Sequence, residues 1–164
     1  MIFPGRYSAQ IEGDFVVFLI GARVNRLRRL PHFIPIARAM NRMQQEVLAQ
    51  PELGCLHIEN WFGRNVISVQ YWRSFEHLEA YARNPNLEHL PAWKDFNQKV
   101  RDSGDIGIWH ETFKVRAGEY EAIYGNMHPF GLARAGDHRK LGVTSTAAGR
   151  SGTREGDVAP VEAY

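Results

Sequence analysis

The sequence holds a single cysteine, Cys55, in 164 residues. An internal disulfide framework and a cysteine-rich zinc site are both excluded, and a lone thiol fits a reducing compartment. Charge of one sign is equally scarce: Lys and Arg total 20 against 18 Asp and Glu, a net +2. No strong field calls for nucleic acid or an acidic lipid surface as a partner. Long hydrophobic runs are missing too. The longest, Phe15 to Ala22, falls far short of the roughly 20 residues a helix needs to cross a bilayer. Glu12 and Asp14 precede it where a secretory signal would be positive. A cytoplasmic protein is expected, with neither membrane nor nucleic acid among its partners.

The common chemical motifs are also absent. The chain has no G-x-G-x-x-G, G-x-x-x-x-G-K-[ST], H-E-x-x-H, G-x-S-x-G or C-x-x-C. His57-x-Glu59 is half of a zinc deaminase signature whose P-C-x-x-C half is missing. Nucleotide-binding, classical hydrolase and zinc-finger functions thereby lose their markers.

Aromatic residues, at 12%, are what the chain does have. They imply a bulky core, an apolar cavity, or both. Their distribution breaks near residue 130: all nine Phe and all four Trp lie at or before it, and only Tyr164 lies beyond. A stretch such as residues 147–157 has little to bury against its ordering entropy. The expected organisation is a flexible N-terminus over 1–9, one domain over 10–130, and a disordered tail over 131–164.

Within that domain the periodicities alternate. Asp14 to Arg23 is apolar at almost every position, the mark of a strand covered on both faces. Pro31 and Pro35 open a helix that Gln50-Pro51 closes. Leu53–Phe62 and Asn65–Arg73 flank Gly63-Arg64 as a hairpin. Ser74 caps a helix ending at Asn84-Pro85, a looser helix carries Pro91, Trp93, Phe96 and Val100, and a strand runs Ile106 to Val115. Residues 120–124 suggest a short fifth strand. The order is β-α-β-β-α-(α)-β, an α+β, ferredoxin-like split βαβ plan with an antiparallel sheet. Its helices cover one face. The other would stay apolar and open, so the expected partner is a second copy across a two-fold axis.

Candidate chemistry falls in four places. If Gly63-Arg64 is a two-residue turn, Glu59 faces Ser68, His57 faces Gln70 and Cys55 faces Trp72, a polar row flanked by tryptophans. That row is either a pocket floor in which an imidazole and a carboxylate orient a substrate, or a set of satisfied polar residues. His110 shares a strand face with Ile106, Ile108 and Thr112, as a base or as an interface residue. His89 follows the helix carrying Tyr81 and precedes Trp93, which would set an imidazole and two rings near one cavity mouth. Four arginines among residues 23–29 form either a solvated loop or a rim for a carboxylate.

The stretch Tyr71 to Ala82, then His89 and Trp93, then Ile108 to Thr112, resembles the dimeric α/β-barrel superfamily. More narrowly it resembles antibiotic-biosynthesis-type monooxygenases. Asp14–Gly21, Trp61–Arg64, Tyr71–Leu78 and Tyr124–Met127 are similar to a bacterial subgroup akin to a fungal terpenoid-pathway monooxygenase. The resemblance implies a dimeric α/β barrel with a pocket in each protomer between helices and sheet. It implies a monooxygenase that takes a hydrophobic, aromatic or polycyclic metabolite without a cofactor, His89 and His110 being the candidate bases. Trp72, Tyr81, Trp93, Asn25, His57 and Glu59 are the expected substrate contacts. Haem-degrading relatives use an Asn, an aromatic and a His that fall near Asn25, on Tyr81 and on His89. Haem is thus the alternative cofactor, with His89 its ligand, and a non-catalytic ligand- or haem-binding protein is the alternative function.

Overall fold

The computed structural model describes residues 1–100, 103–142 and 146–151. Its centre is the apolar strand β2 (Phe15–Val24), preceded by β1 (Phe3–Gln10). A short 3-10 turn over Leu27–Arg29 leads into α1 (Leu30–Ala49), with Pro31 in its first turn, where a missing N–H costs nothing. The hairpin β3 (Cys55–Trp61) and β4 (Asn65–Trp72) follows. Ser74 Oγ accepts the His77 N–H and starts α2 (Phe75–Arg83), as its sequence position predicts. Then come α3 (His89–Lys99), β5 (Ile106–Val115), β6 (Tyr124–Met127), α4 (Leu132–Ala135), β7 (Asp137–Lys140) and α5 (Ala147–Arg150).

Four strands form one antiparallel sheet in the order β3-β4-β2-β5, the ferredoxin-like arrangement. The pleat sends Val16, Phe18 and Ile20 to the inner face, under the helices. There Val16, Val47, Cys55, Ile58, Trp72, Leu78 and Tyr81 make one core.

The hairpin departs from the expected register. Trp61 pairs with Ile67 and Asn60 with Ser68, one position off a two-residue turn. A bulge then places Leu56 as an extra residue between the Cys55–Trp72 and His57–Tyr71 pairs. Between the turn and the bulge every side chain of β3 changes face.

Both expected boundaries also move. Residues 3–10 form a strand: β1 sits between β6 and β7 in a second, three-stranded sheet. Its Tyr7 ring stacks on His138 at 4.5 Å and 16°. Nor does the fold stop at 130, since Leu132 and Ala133 are buried with Ala9, Ile11 and Phe15. Small apolar residues in a short stretch give little compositional signal yet fill this gap. The rest of the expected tail, residues 152–164, lies outside the described residues.

This second unit lies on the outer face, over Phe15, Val17, Leu56, Tyr71 and Val115. The chain thus supplies part of the cover that the apolar strand seemed to demand from a partner. The other part of the face stays open, and Phe113 on it is 49% exposed.

Candidate functional site

Between the sheet and α1, α2 and α3 lies a cavity of about 740 Å³. Phe18, Ile20, Trp72, Ile106 and Ile108 rise from the sheet into its lining. Ile36, Met40, Met43 and Val47 come from α1, Leu78 and Tyr81 from α2, and His89, Trp93 and Phe96 from α3. The size and the apolar walls with a few polar groups are those of a small-molecule site.

His89 is the first residue of α3. Its Nδ1 stands 2.9 Å from the carbonyl oxygen of Ala82 near the end of α2. A carbonyl only accepts, so Nδ1 carries the proton and Nε2 of the neutral ring keeps its lone pair. Tyr81 sits 6.0 Å from that ring, centroid to centroid. Its hydroxyl donates to Glu46 Oε2 at 2.8 Å, and the same oxygen accepts the Glu88 N–H at 3.0 Å. Burial first, then this bond to Glu46, push the Tyr81 phenol well above its ordinary range. Tyr81 is therefore a donor and a wall, not an ionisable nucleophile.

Trp72, 1% exposed, lies at the base of the cavity and donates its indole N–H to Gln70 Oε1 at 2.9 Å. Trp93 stands at the rim, 45% exposed and stacked on Phe96 at 5.6 Å. His110 also lines the cavity, its ring 5.6 Å from Phe18, on the face its strand position predicts. Arg29 reaches the lining as well, but its guanidinium and that of Arg26 both meet Asp105, at 3.4 and 3.0 Å. Two of the four arginines are thus held by that carboxylate, and Arg23 donates to Asn65 Oδ1 at 2.8 Å.

Three expected contacts lie elsewhere. His57 and Glu59 do not form the pocket floor, because the hairpin register turns them to the outer face with Tyr71 and Val69. There His57 Nε2 meets Glu59 Oε1 at 2.9 Å, and the same oxygen accepts the Gly131 N–H at 3.3 Å. Two residues on, the Ala133 N–H is held likewise by the Tyr124 hydroxyl at 3.2 Å. Asn25 follows the last residue of β2 and is exposed outside the cavity, its Nδ2 donating to the Gly104 carbonyl at 3.2 Å. The Asn, aromatic and His of the haem-degrading pattern therefore do not converge here.

The polar row was half legible. Ser68 and Gln70 do belong to the inner face, where Gln44 of α1 joins them through Ser68 Oγ at 3.1 Å. Gln44, Glu46 and the methionines of α1 gave no signal beyond helical spacing. Cys55 is buried with a thiol pushed up to about 12, chiefly by desolvation, and is inert at neutral pH. No group of three or more potential metal ligands occurs among the described residues.

Residues 15–132 match the family described as Monooxygenase af470-like. The chain belongs to that family. Monooxygenase af470 of Aspergillus fumigatus is 32% identical over 154 residues, an alignment covering 81% of this chain and 54% of that protein. This member of the af470-like family thus spans about half the length of its curated relative. Two solved aldoxime dehydratases share the fold. One, the enzyme OxdRE in complex with butyraldoxime, superposes with a TM-score of 0.67 at 15% identity, over 81% of this chain and 40% of the other. The second gives 0.64 at 18%, over 85% and 42%. Among the described residues no helix is long and apolar enough to cross a membrane.

Proposed function

We propose that this af470-like chain is a small monooxygenase acting on a hydrophobic, aromatic or polycyclic metabolite held in the cavity. The observation that carries the reading is the Nδ1 bond of His89 to Ala82, which leaves Nε2 as a base in an apolar chamber. Nε2 removes a proton from a hydroxyl or enol of the substrate. The resulting carbanion is electron-rich enough to reduce molecular oxygen, and one oxygen atom enters the substrate while the other leaves as water. For a methylene oxidised to a carbonyl, R₂CH₂ + O₂ gives R₂CO + H₂O, so no external reductant or bound cofactor is needed. Trp72, Tyr81 and Trp93 pack the substrate, and the closed base of the cavity keeps water from the carbanion. His110, at the edge, is the second candidate base.

The test is oxygen uptake with an enolisable polycyclic phenol or ketone. His89→Ala is expected to lower turnover by about 10²–10⁴-fold, the usual loss of a general base, with substrate binding retained. An undiminished rate would remove His89 from the mechanism.

The rival is a non-catalytic protein that holds a small ligand or haem in the same cavity. In that case His89, through Nε2, is the residue that would hold haem. The absorption spectrum of the purified protein separates the two, because a Soret band supports the rival and a colourless protein that consumes oxygen supports the monooxygenase.

The reading includes a homodimer, formed through the part of the outer sheet face that the second sheet leaves open. Leu19, Val69, Trp109 and Phe113 alternate onto that part. A face whose apolar residues flank the exposed Glu111, which pairs with Leu19, suits a two-fold contact, which would complete the dimeric α/β barrel.

A further inference from the structure

Gln70 is a primary amide in the floor of a largely apolar cavity, and it is only 7% exposed. Such a group brings two donors and a carbonyl acceptor into a place with little water. Trp72 settles which end is which. An indole nitrogen only donates, so the Gln70 atom 2.9 Å from Trp72 Nε1 is the carbonyl oxygen. The amide nitrogen therefore turns the other way, toward Ser68 Oγ at 3.4 Å, a long distance for a hydrogen bond. That hydroxyl already accepts from Gln44 at 3.1 Å. One Nε2 proton is weakly used, and the second has no acceptor among the described residues. A buried donor left unpaired is costly, so its acceptor is to be sought in whatever fills the cavity.

We infer that Gln70 Nε2 binds an oxygen atom of the ligand, a carbonyl, enolate or phenolate, and so selects oxygenated polycycles over plain hydrocarbons. The inference rests on the cavity being the substrate site, as proposed above. On this side of the amide there are only donors, so the bound oxygen must accept. Proton removal by His89 would place negative charge on such an oxygen. A fixed donor in a dry site stabilises that charge more than water would. A site built around one hydrogen bond also rejects the analogue that lacks the atom, because the donor is then stranded. Gln70 is thus a binding and specificity residue, distinct in role from the base.

The probes are 9-fluorenone and fluorene, which share a tricyclic frame and differ by one carbonyl oxygen. Their binding is followed by quenching of tryptophan fluorescence. Gln70→Met keeps the volume and removes the donor. It is expected to lower the fluorenone-to-fluorene affinity ratio about five- to tenfold, the worth of one hydrogen bond, with fluorene affinity kept. In the unaltered protein the carbonyl stretch of bound fluorenone should lie at its position in methanol and not at its position in hexane. This second measurement needs no variant and decides the matter alone if Gln70→Met does not fold. An unchanged affinity ratio, or a carbonyl stretch at the hexane position, overturns the role of Gln70 and leaves the cavity reading standing. Failure of both probes to bind overturns the cavity reading, and this inference with it.

Discussion

The indole of Trp109 occupies the space where a side chain on Gly21 would stand: an added Cβ would come within 2.5 Å of ring atoms Cε2 and Nε1. The two residues are paired across β2 and β5, so glycine there is what lets the ring lie over the central strand. Gly21→Ala must displace the indole, an overpacking cost of about 1–3 kcal/mol. Calorimetry should find Tm lowered by roughly 2–4 °C per kcal/mol. The double variant with Trp109→Ala should lose less than the sum of the two singles, and strict additivity would break the link between them.

Cys55 sets a window of alkaline sensitivity. Burial raises its thiol from 9.0 to about 12 in the folded chain, so the folded state holds its proton while the unfolded state releases it. Stability is therefore unaffected by this group below about pH 9 and falls as pH rises from 9 to 12. Urea unfolding across that range should show the decline, and Cys55→Ala should flatten part of it. A variant with the same slope as the parent would assign the decline to other groups.

The segment after Gly131 should prove structural. At Gly136 a Cβ would stand 2.3 Å from the Gln10 carbonyl oxygen, a backbone atom that cannot swing aside. Gly136→Val is expected to loosen β7 from β1. Limited proteolysis would then cut faster within residues 136–142, and Tm would fall. Deletion from residue 132 onward should cost still more, since it strips Leu132 and Ala133 from the packing around Phe15. A truncated chain that melts like the parent would contradict the burial of those two residues.

The proposed dimer is best probed at Phe113. Val17 is packed beneath the second sheet and Phe18 lines the cavity, so a charge at either would damage the protomer itself. Phe113 is half-exposed on the open part of the face. Phe113→Asp should shift the sedimenting species from dimer to monomer at micromolar concentration, because a carboxylate buried without a partner opposes association. A parent protein that sediments as a monomer would end the dimer reading.

The split βαβ order was legible because each element carries its own local mark. The run Phe15–Ile20, the cap at Ser74 and the prolines flanking the helices each act within a few residues. Tyr81, Trp72 and His110 reached the cavity for the same reason, since each follows from the face of one well-marked element. What failed depended on parity or on distance. One residue more in the turn after Trp61 carried His57 and Glu59 to the wrong side, and nothing in the composition reveals a bulge at Leu56. The strand at Phe3–Gln10 finds its partners more than a hundred residues away, at Tyr124 and Lys140, beyond any local pattern. Asn25 missed the cavity by lying one step past the end of its strand.

The amides of Gly131 and Ala133 are received by Glu59 on β3 and Tyr124 on β6, strands of two different sheets. The two acceptors stand together only once both sheets exist. Docking of this segment is therefore an event that can only follow the pairing of β3 with β4 and of β1 with β6. It makes the segment a chronometer for assembly, with amide protection at Gly131 and Ala133 arriving after that of the strands. It is also an early casualty, because a slip of β3 by one residue withdraws Glu59 and frees the first link of the chain.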